Sequence, residues 1–341
     1  MRAAVTGASG FIGTALVKAL AAGGHEVVGT DRFAPSVELP IREFVTADLG
    51  DGHGLARAFD GAEVVFHLAA LPAIARAPDS TYVDTNIAGT ERVLRLARRA
   101  GARKVVHLSS STVYGRPDAE PISEDHPLRP ACPYSRSKAA AEEACLRQSD
   151  DGFDVSIIRP RVVVGAGRAG IFATFFAFME LGLPLPLPRG GDFRFQFTAV
   201  DDLVRALEVV AERGAAGRIY NIGSQVDRLL RDDLHALFRL VRSRSRVVPV
   251  PPRLALRTFA LLHHLRIGPL VPEQYRIAAN HFVLDTTRAR EELGFVAARA
   301  NIDGVIDAWR WWREHREGPA LQTLVRWWRP RHQNALQRRP D

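Results

Sequence analysis

The chain has 341 residues, enough for one large domain or two small ones around a sizeable core. Its 46% hydrophobic and 25% charged content is that of an ordinary globular protein and excludes disorder on a domain scale. The net charge of +8 sits mainly in residues 309–341, where eight Arg oppose Glu314, Glu317 and Asp341, so a basic end on a near-neutral body makes no case for nucleic-acid binding.

Cys132 and Cys145 offer neither a disulfide framework nor a metal set, and no metal is expected. Strand character starts at Arg2, which leaves no room for a secretory leader. The most apolar stretch, 171–188, holds Glu180 and three prolines, a poor composition for a membrane span. A cytoplasmic protein is expected.

In chain order, apolar runs at 3–7, 25–31, 42–48, 63–70, 104–110 and 155–160 predict strands. Helical patterns at 11–24, 86–101 and 135–148 fall between them. Near-continuous apolar strands alternating with helices predict a doubly wound α/β fold, a parallel sheet of Rossmann type covered on both faces. This part is expected to span 1–165. Beyond it, helices around 170–182, 201–213, 229–241 and 252–265 mix with proline-rich breaks, and a strand at 218–223 is expected to return to the main sheet. The range 166–312 therefore predicts a smaller, mostly helical part over the substrate, and 313–341 a basic Trp/Arg-rich tail. Leu321, Leu324, Val325 and Trp328 have helical spacing in that tail, which suits a membrane surface, or equally the body or a partner subunit.

Gly7, Gly10 and Gly13 stand between the first strand and the first helix. There glycine permits a tight turn and close approach to a pyrophosphate, which the helix N-terminus attracts. Asp31 ends the second strand, where a carboxylate accepts the ribose hydroxyls of NAD and repels the 2′-phosphate of NADP. Arg32 beside it softens that preference without reversing it. Asp48 reads either as an acceptor for the adenine edge or as a helix N-cap.

Tyr134 and Lys138 are spaced i, i+4 on one helix face. A free phenol has a pKa near ~10, and a neighbouring ammonium favours phenolate, so the pair can deprotonate an alcohol. Lys138 is one of only three lysines, with Lys18 and Lys104, in a chain that otherwise uses arginine for positive charge.

The chain resembles the extended short-chain dehydrogenases/reductases, the NAD-dependent epimerase/dehydratase superfamily, from residue 3 to about 312. The resemblance rests on "TGASGFIG", Asp31, Asp48, "HLAA" (67–70), Asn86, "SSSTVYG", "YSRSK", "RP" (159–160), "FTAVDDLVRAL" (197–207), "IYNIGS" and "DTTRAREELGF" (285–295). It implies a bound NAD contacted at Gly7, Gly10, Phe11, Ile12, Gly13, Asp31, Arg32, Asp48, Leu49, Leu68, Ala69 and Ala70, and by Tyr134 and Lys138. It also implies a homodimer and a Ser–Tyr–Lys triad in which Ser110, four residues before Tyr114, holds the substrate oxygen, Tyr134 is the acid/base and Tyr114 is not. Dehydratases of the family carry an Asp-Glu pair where this chain has Ser111 and Thr112, neither ionisable near neutral pH. That leaves hydride transfer alone, or out and back to invert a carbinol. Sugar-nucleotide members hold the diphosphate with arginines, here Arg189, Arg194 or Arg276, while Ser111 and Thr112 border the substrate.

The reading is thus an NAD-dependent oxidoreductase at a secondary alcohol or ketone, leaning to sugar-nucleotide epimerisation. The alternative is an apolar substrate, since 251–278 is similar to 3β-hydroxysteroid dehydrogenase-like members and Phe172, Phe175, Phe176 and Phe178 line either a pocket or the core. A non-catalytic dinucleotide-sensing module would have lost part of the triad, and all three residues are present.

Overall fold

The computed structural model describes residues 1–75, 77–170, 172–264, 281–316 and 318–322. Its strands are β1 (Arg2–Thr6), β2 (Glu26–Asp31), β3 (Glu43–Thr46), β4 (Val64–His67), β5 (Lys104–Leu108), β6 (Val155–Pro160), β7 (Val162–Val164), β8 (Leu185–Pro188), β9 (Phe197–Ala199), β10 (Ile219–Ile222) and β11 (Val247–Val250). Seven of them make one parallel sheet in the order β10-β6-β5-β4-β1-β2-β3. Side chains alternate across it. Ala3 and Val5 of β1, with Val64 and Phe66 of β4, enter one core, while Ala4 and Val65 enter the other.

Helices cover both faces. On one lie α1 (Phe11–Ala22), α7 (Val200–Arg213) and α10 (Thr287–Leu293); on the other lie α2 (Gly52–Phe59), α4 (Gly89–Arg99) and α5 (Pro133–Asp150). A short α3 (Asp79–Tyr82) and a π-helical stretch, Val83–Ala88, lead into α4. α2 has no counterpart among the predicted helices. Asp51 caps it by accepting from the amides of His53 and Gly54, and Leu55, Ala58 and Phe59 bury one face. The helix expected over 135–148 begins at Pro133, because Cys132 and Ser135 form a reciprocal cap there. Tyr134 therefore sits inside its first turn.

The smaller part holds α6 (Phe172–Leu181), α8 (Leu230–Leu240), α9 (Pro252–His264), α11 (Asp303–His315) and two two-stranded sheets, β8–β11 and β7–β9. Its core packs Phe176 edge-on to Trp309 and tilted to Trp312, with ring centroids 5.7 and 5.8 Å away. Phe172 and Phe175 pack against this core, which accounts for three of the four phenylalanines that the sequence left between pocket and core. Packing continues past 312: Ala320 is buried in the same core and Arg316 pairs with Glu180. The rest of the tail, from residue 323, lies outside the described residues. No helix among the described residues is long and apolar enough to cross a membrane.

Strand order reverses between β1 and β4, and open α/β sheets bind ligands at the carboxyl ends of strands flanking such a switch point.

Candidate active site

At the switch point β1 hands over to α1 through Gly7. This residue has φ +73°, and a Cβ on it would lie 2.8 Å from the Ala69 amide nitrogen. A Cβ on Gly13 would lie 2.0 Å from the Gly7 carbonyl oxygen. Neither position accommodates a side chain without displacing backbone. Gly10 stands at the N-cap and makes no side-chain cap bond, so the amides of Phe11, Ile12 and Gly13 have no intrahelical acceptor. That donor set and the positive helix end fit a pyrophosphate. Phe11 packs under the Gly165–Gly167 loop that follows β7. Opposite, the Leu68 amide bonds the Thr6 carbonyl at 3.3 Å and the Ala69 amide bonds Thr6 Oγ1 at 3.2 Å. Ala70 is half-buried and leads to Leu71. The Leu71 backbone is clasped by buried Asn86, whose Nδ2 also donates to Ser137 Oγ at 2.8 Å. The loop after β4 is thereby tied to α5.

The Asp31 carboxylate accepts from the Ser9 amide at 3.3 Å. Burial raises its pKa, against the backbone donors of Arg32, Phe33 and Ser9. The Arg32 guanidinium stacks 4.7 Å above the Phe33 ring. Asp48 is exposed and accepts from the Gly50 amide at 2.9 Å, so the cap of α2 falls to Asp51 instead. Leu49 is buried against Gly89. Acceptors for a ribose and a wall for an adenine thus stand on one side of the glycine turn, which is the layout a dinucleotide needs.

β5 leads into the serine run. Ser110 is half-buried with extended backbone, and its Oγ accepts from Thr112 Oγ1 at 3.0 Å and the Thr112 amide at 3.3 Å. Ser111 is buried, and Ser109 donates to Glu142. Tyr134 is half-buried, its ring edge-on to Tyr82 at 6.4 Å. One turn on, Lys138 is 2% exposed; its Nζ donates to the Leu108 carbonyl at 2.7 Å and lies 3.2 Å from His107 Nε2. Burial pulls its pKa down to about 8, with Cys145 and Glu142 opposing. His107 and His67 are buried with ring centroids 5.1 Å apart. Burial, reinforced by the Lys138 charge, holds both neutral, His67 at about 3.

Behind the serine run lies a polar network that the sequence did not disclose. Arg159 Nη2 and Nε grip the Glu142 carboxylate at 2.6 and 3.0 Å, and Nη1 donates to Tyr114 Oη at 2.8 Å. Tyr114 donates to Asn221 Oδ1 at 2.7 Å, and burial pushes its pKa up to about 12. "RP" and Tyr114 carried only the resemblance; the partners that bury them are distant in sequence, so spacing held no signal for the contact.

Of the three arginines expected at a diphosphate, Arg189 is exposed in a turn with φ 52°, and Arg194 is exposed with Nη2 3.3 Å from Glu120. Arg276 lies outside the described residues, as does the whole stretch 265–280. A fourth arginine, Arg161, is buried against the rings of Phe195 and Phe282. Among the described residues no group of three His, Cys, Asp or Glu could hold a metal ion.

Residues 3–223 match the model of the NAD dependent epimerase/dehydratase family. The chain belongs to that family. A UDP-glucose 4-epimerase of Mycolicibacterium smegmatis is 36% identical over 324 residues, covering 89% of this chain and 96% of its own. A 4-hydroxy-2-methyl-3-oxo-4-farnesyl-3,4-dihydroquinoline-1-oxide ketoreductase of Stigmatella aurantiaca is 31% identical, covering 94% and 98%. The crystal structure of the Streptomyces venezuelae dTDP-glucose 4,6-dehydratase DesIV, which has NAD bound, superposes with a TM-score of 0.74 at 28% identity, covering 93% of this chain and 98% of that one.

Membership makes this chain an NAD-dependent enzyme of the extended short-chain dehydrogenase/reductase type. The glycine cradle, the first turn of α1 and Asp31 are the groups that fit the family's cofactor. The relatives divide between epimerase, dehydratase and ketoreductase chemistry, so the reaction has to be argued from the residues around Ser110.

Proposed function

We propose that this family member moves a hydride at a secondary carbinol of a sugar nucleotide, in an epimerase-type reaction. The observation that carries the reading is the bonding around Ser110. The group bonded to its Oγ is the neutral hydroxyl of Thr112, and the one carboxylate bonded to the serine run among the described residues, Glu142, is gripped by Arg159. Elimination of water needs an acid and a base on the substrate, and among the described residues no carboxylate other than the Arg159-bound Glu142 is bonded to this run.

Bound NAD supplies the hydride acceptor and donor. Gly7, Gly10, Phe11, Ile12 and Gly13 hold its pyrophosphate; Asp31 selects NAD over NADP; Asp48, Leu49, Leu68, Ala69 and Ala70 wall it. Tyr134 takes the carbinol proton and returns it after the ketone has turned its other face. Lys138 keeps positive charge beside the phenolate and serves the ribose. Ser110 donates to the reacting oxygen, its own lone pairs already facing Thr112. The smaller part closes over the substrate. The active species is a cytoplasmic homodimer, a point that light scattering on the purified protein tests directly.

The experiment is incubation of the NAD-loaded enzyme with UDP-glucose, UDP-galactose and their dTDP counterparts. Interconversion of epimers without accumulation of NADH is expected. Inertness toward every sugar nucleotide would overturn the reading. The second reading, a ketoreductase of an apolar substrate, is favoured by the resemblance to the Stigmatella ketoreductase and by exposed Leu254 and Leu261 on α9. It predicts NADH consumption with a hydrophobic ketone instead.

A further inference from the structure

Four cationic side chains are buried among the described residues, and three are answered. Lys104 pairs with Asp154, Arg159 with Glu142, and Lys138 with the Leu108 carbonyl. Arg161 is different. It is 4% exposed, yet its Nε and Nη2 have no hydrogen-bond partner among the described residues. The guanidinium carbon lies 4.6 and 3.9 Å from the ring centroids of Phe195 and Phe282. Nε and Nη2 share one edge, the pair of parallel N–H donors that receives two oxygens of a carboxylate or phosphate. Burial alone pulls the pKa down to about 9, with no charge nearby to oppose it, and the group remains cationic at neutral pH.

The place is also right. Ser109 extends the β5–β6 ladder by donating to the Ile158 carbonyl at 2.8 Å, after the pair Leu108 and Ile158. Ser110 is therefore level with Pro160, and Arg161 stands one residue further toward the ligand edge of the sheet. A buried guanidinium without a counter-ion is costly, and a fork packed against two rings is preorganised. An incoming anion answers both facts.

We propose that Arg161 is the anion anchor of the substrate site, taking two oxygens of a substrate phosphate or carboxylate on its Nε–Nη2 edge. This rests on the proposed hydride-transfer reading and specifies the substrate as anionic. It assigns the task to a residue other than the exposed Arg189 and Arg194.

The test compares wild type with Arg161→Met and Arg161→Lys, all loaded with NAD, by calorimetric titration of inorganic pyrophosphate, UDP, UDP-glucose and UDP-glucuronate, alongside thermal melts without ligand. Arg161→Met should bind the anion at least tenfold more weakly while melting no lower than wild type, because it removes an unpaired charge and keeps an apolar side chain against the rings. Arg161→Lys should recover little, lacking the fork. Weakening of pyrophosphate, UDP and UDP-glucose alike assigns the phosphate; weakening confined to UDP-glucuronate assigns the carboxylate. A lower melting temperature for Arg161→Met with unchanged affinity for all four probes would make the residue a structural staple and overturn the proposal. Equal binding of UDP-sugars by wild type and variant also overturns it, and leaves the sugar-nucleotide reading standing. Binding of pyrophosphate but of no UDP compound, lost in Arg161→Met, does the reverse.

Discussion

Replacing Lys138 by methionine separates what the buried ammonium costs the fold from what it does in the site. Burial takes its pKa from 10.5 to about 8, so below pH 8 the folded chain carries a charge worth about 3 kcal/mol of instability relative to the unfolded chain. Between pH 8 and pH 10.5 the unfolded state holds the proton that the native state has released, and wild-type stability rises with pH through that window. The methionine variant lacks this titration. Its stability relative to wild type should therefore fall by about 2.5 kcal/mol between pH 7 and pH 10. The Leu108 carbonyl, which accepts from Nζ at 2.7 Å, loses its donor in the variant, an offset of about 1–3 kcal/mol that does not depend on pH. Urea unfolding of both apoproteins at pH 7, 8, 9 and 10 reads the difference, with all other titrating groups common to the pair. Parallel stability curves would refute the claim that the ammonium is buried and charged. Turnover should meanwhile be lost in the variant at every pH.

Four further outcomes follow from the same geometry. Tyr134→Phe should fold normally and lose turnover by roughly 10²–10⁴-fold, measured on the true substrate with NAD saturating. Gly13→Ala forces a methyl against the Gly7 carbonyl; it should cost about 1–3 kcal/mol in urea unfolding and weaken NAD in a fluorescence titration. Glu142→Gln leaves the Arg159 charge buried without its carboxylate and should lower stability by about 3–5 kcal/mol. Asp31→Ser removes the carboxylate beside the Ser9 amide, so the ratio of NAD to NADP affinity should drop; an unchanged ratio would remove Asp31 from cofactor selection.

Legibility followed the range over which each feature is encoded. Gly7 and Gly13 are local: a turn that admits no Cβ writes itself as glycine at fixed spacing, and in the structure an added Cβ would lie only 2.8 and 2.0 Å from backbone atoms. The sheet is legible because strands buried on both faces read as unbroken apolar runs. α2 was not, since its eight residues include two glycines and a histidine, and Asp48 drew the attention that the actual cap, Asp51, merited. The i, i+4 spacing put Tyr134 and Lys138 on one face but said nothing of where Nζ goes. That is decided by the Leu108 carbonyl and His107 on a strand the helix crosses. Arg161 was least legible of all. In sequence it is one arginine among many; only folding brings Phe195 and Phe282 against it.

Charge at the site then has a consistent sense. Glu142, the carboxylate nearest the serine run, is neutralised by Arg159. Lys138, whose Nζ reaches the end of β5 from α5, and Arg161, just past β6, remain, both with pKa values lowered chiefly by burial and both still protonated at neutral pH. On the proposed reading, two such buried cations make a positive field that water screens little, and that field favours an anionic substrate over a neutral one. A hydrophobic ketone would gain from the apolar walls but leave the Arg161 fork unanswered, whereas a sugar nucleotide satisfies it. The same unpaired guanidinium that is unfavourable in the free protein is thus the feature that weighs most against the apolar reading.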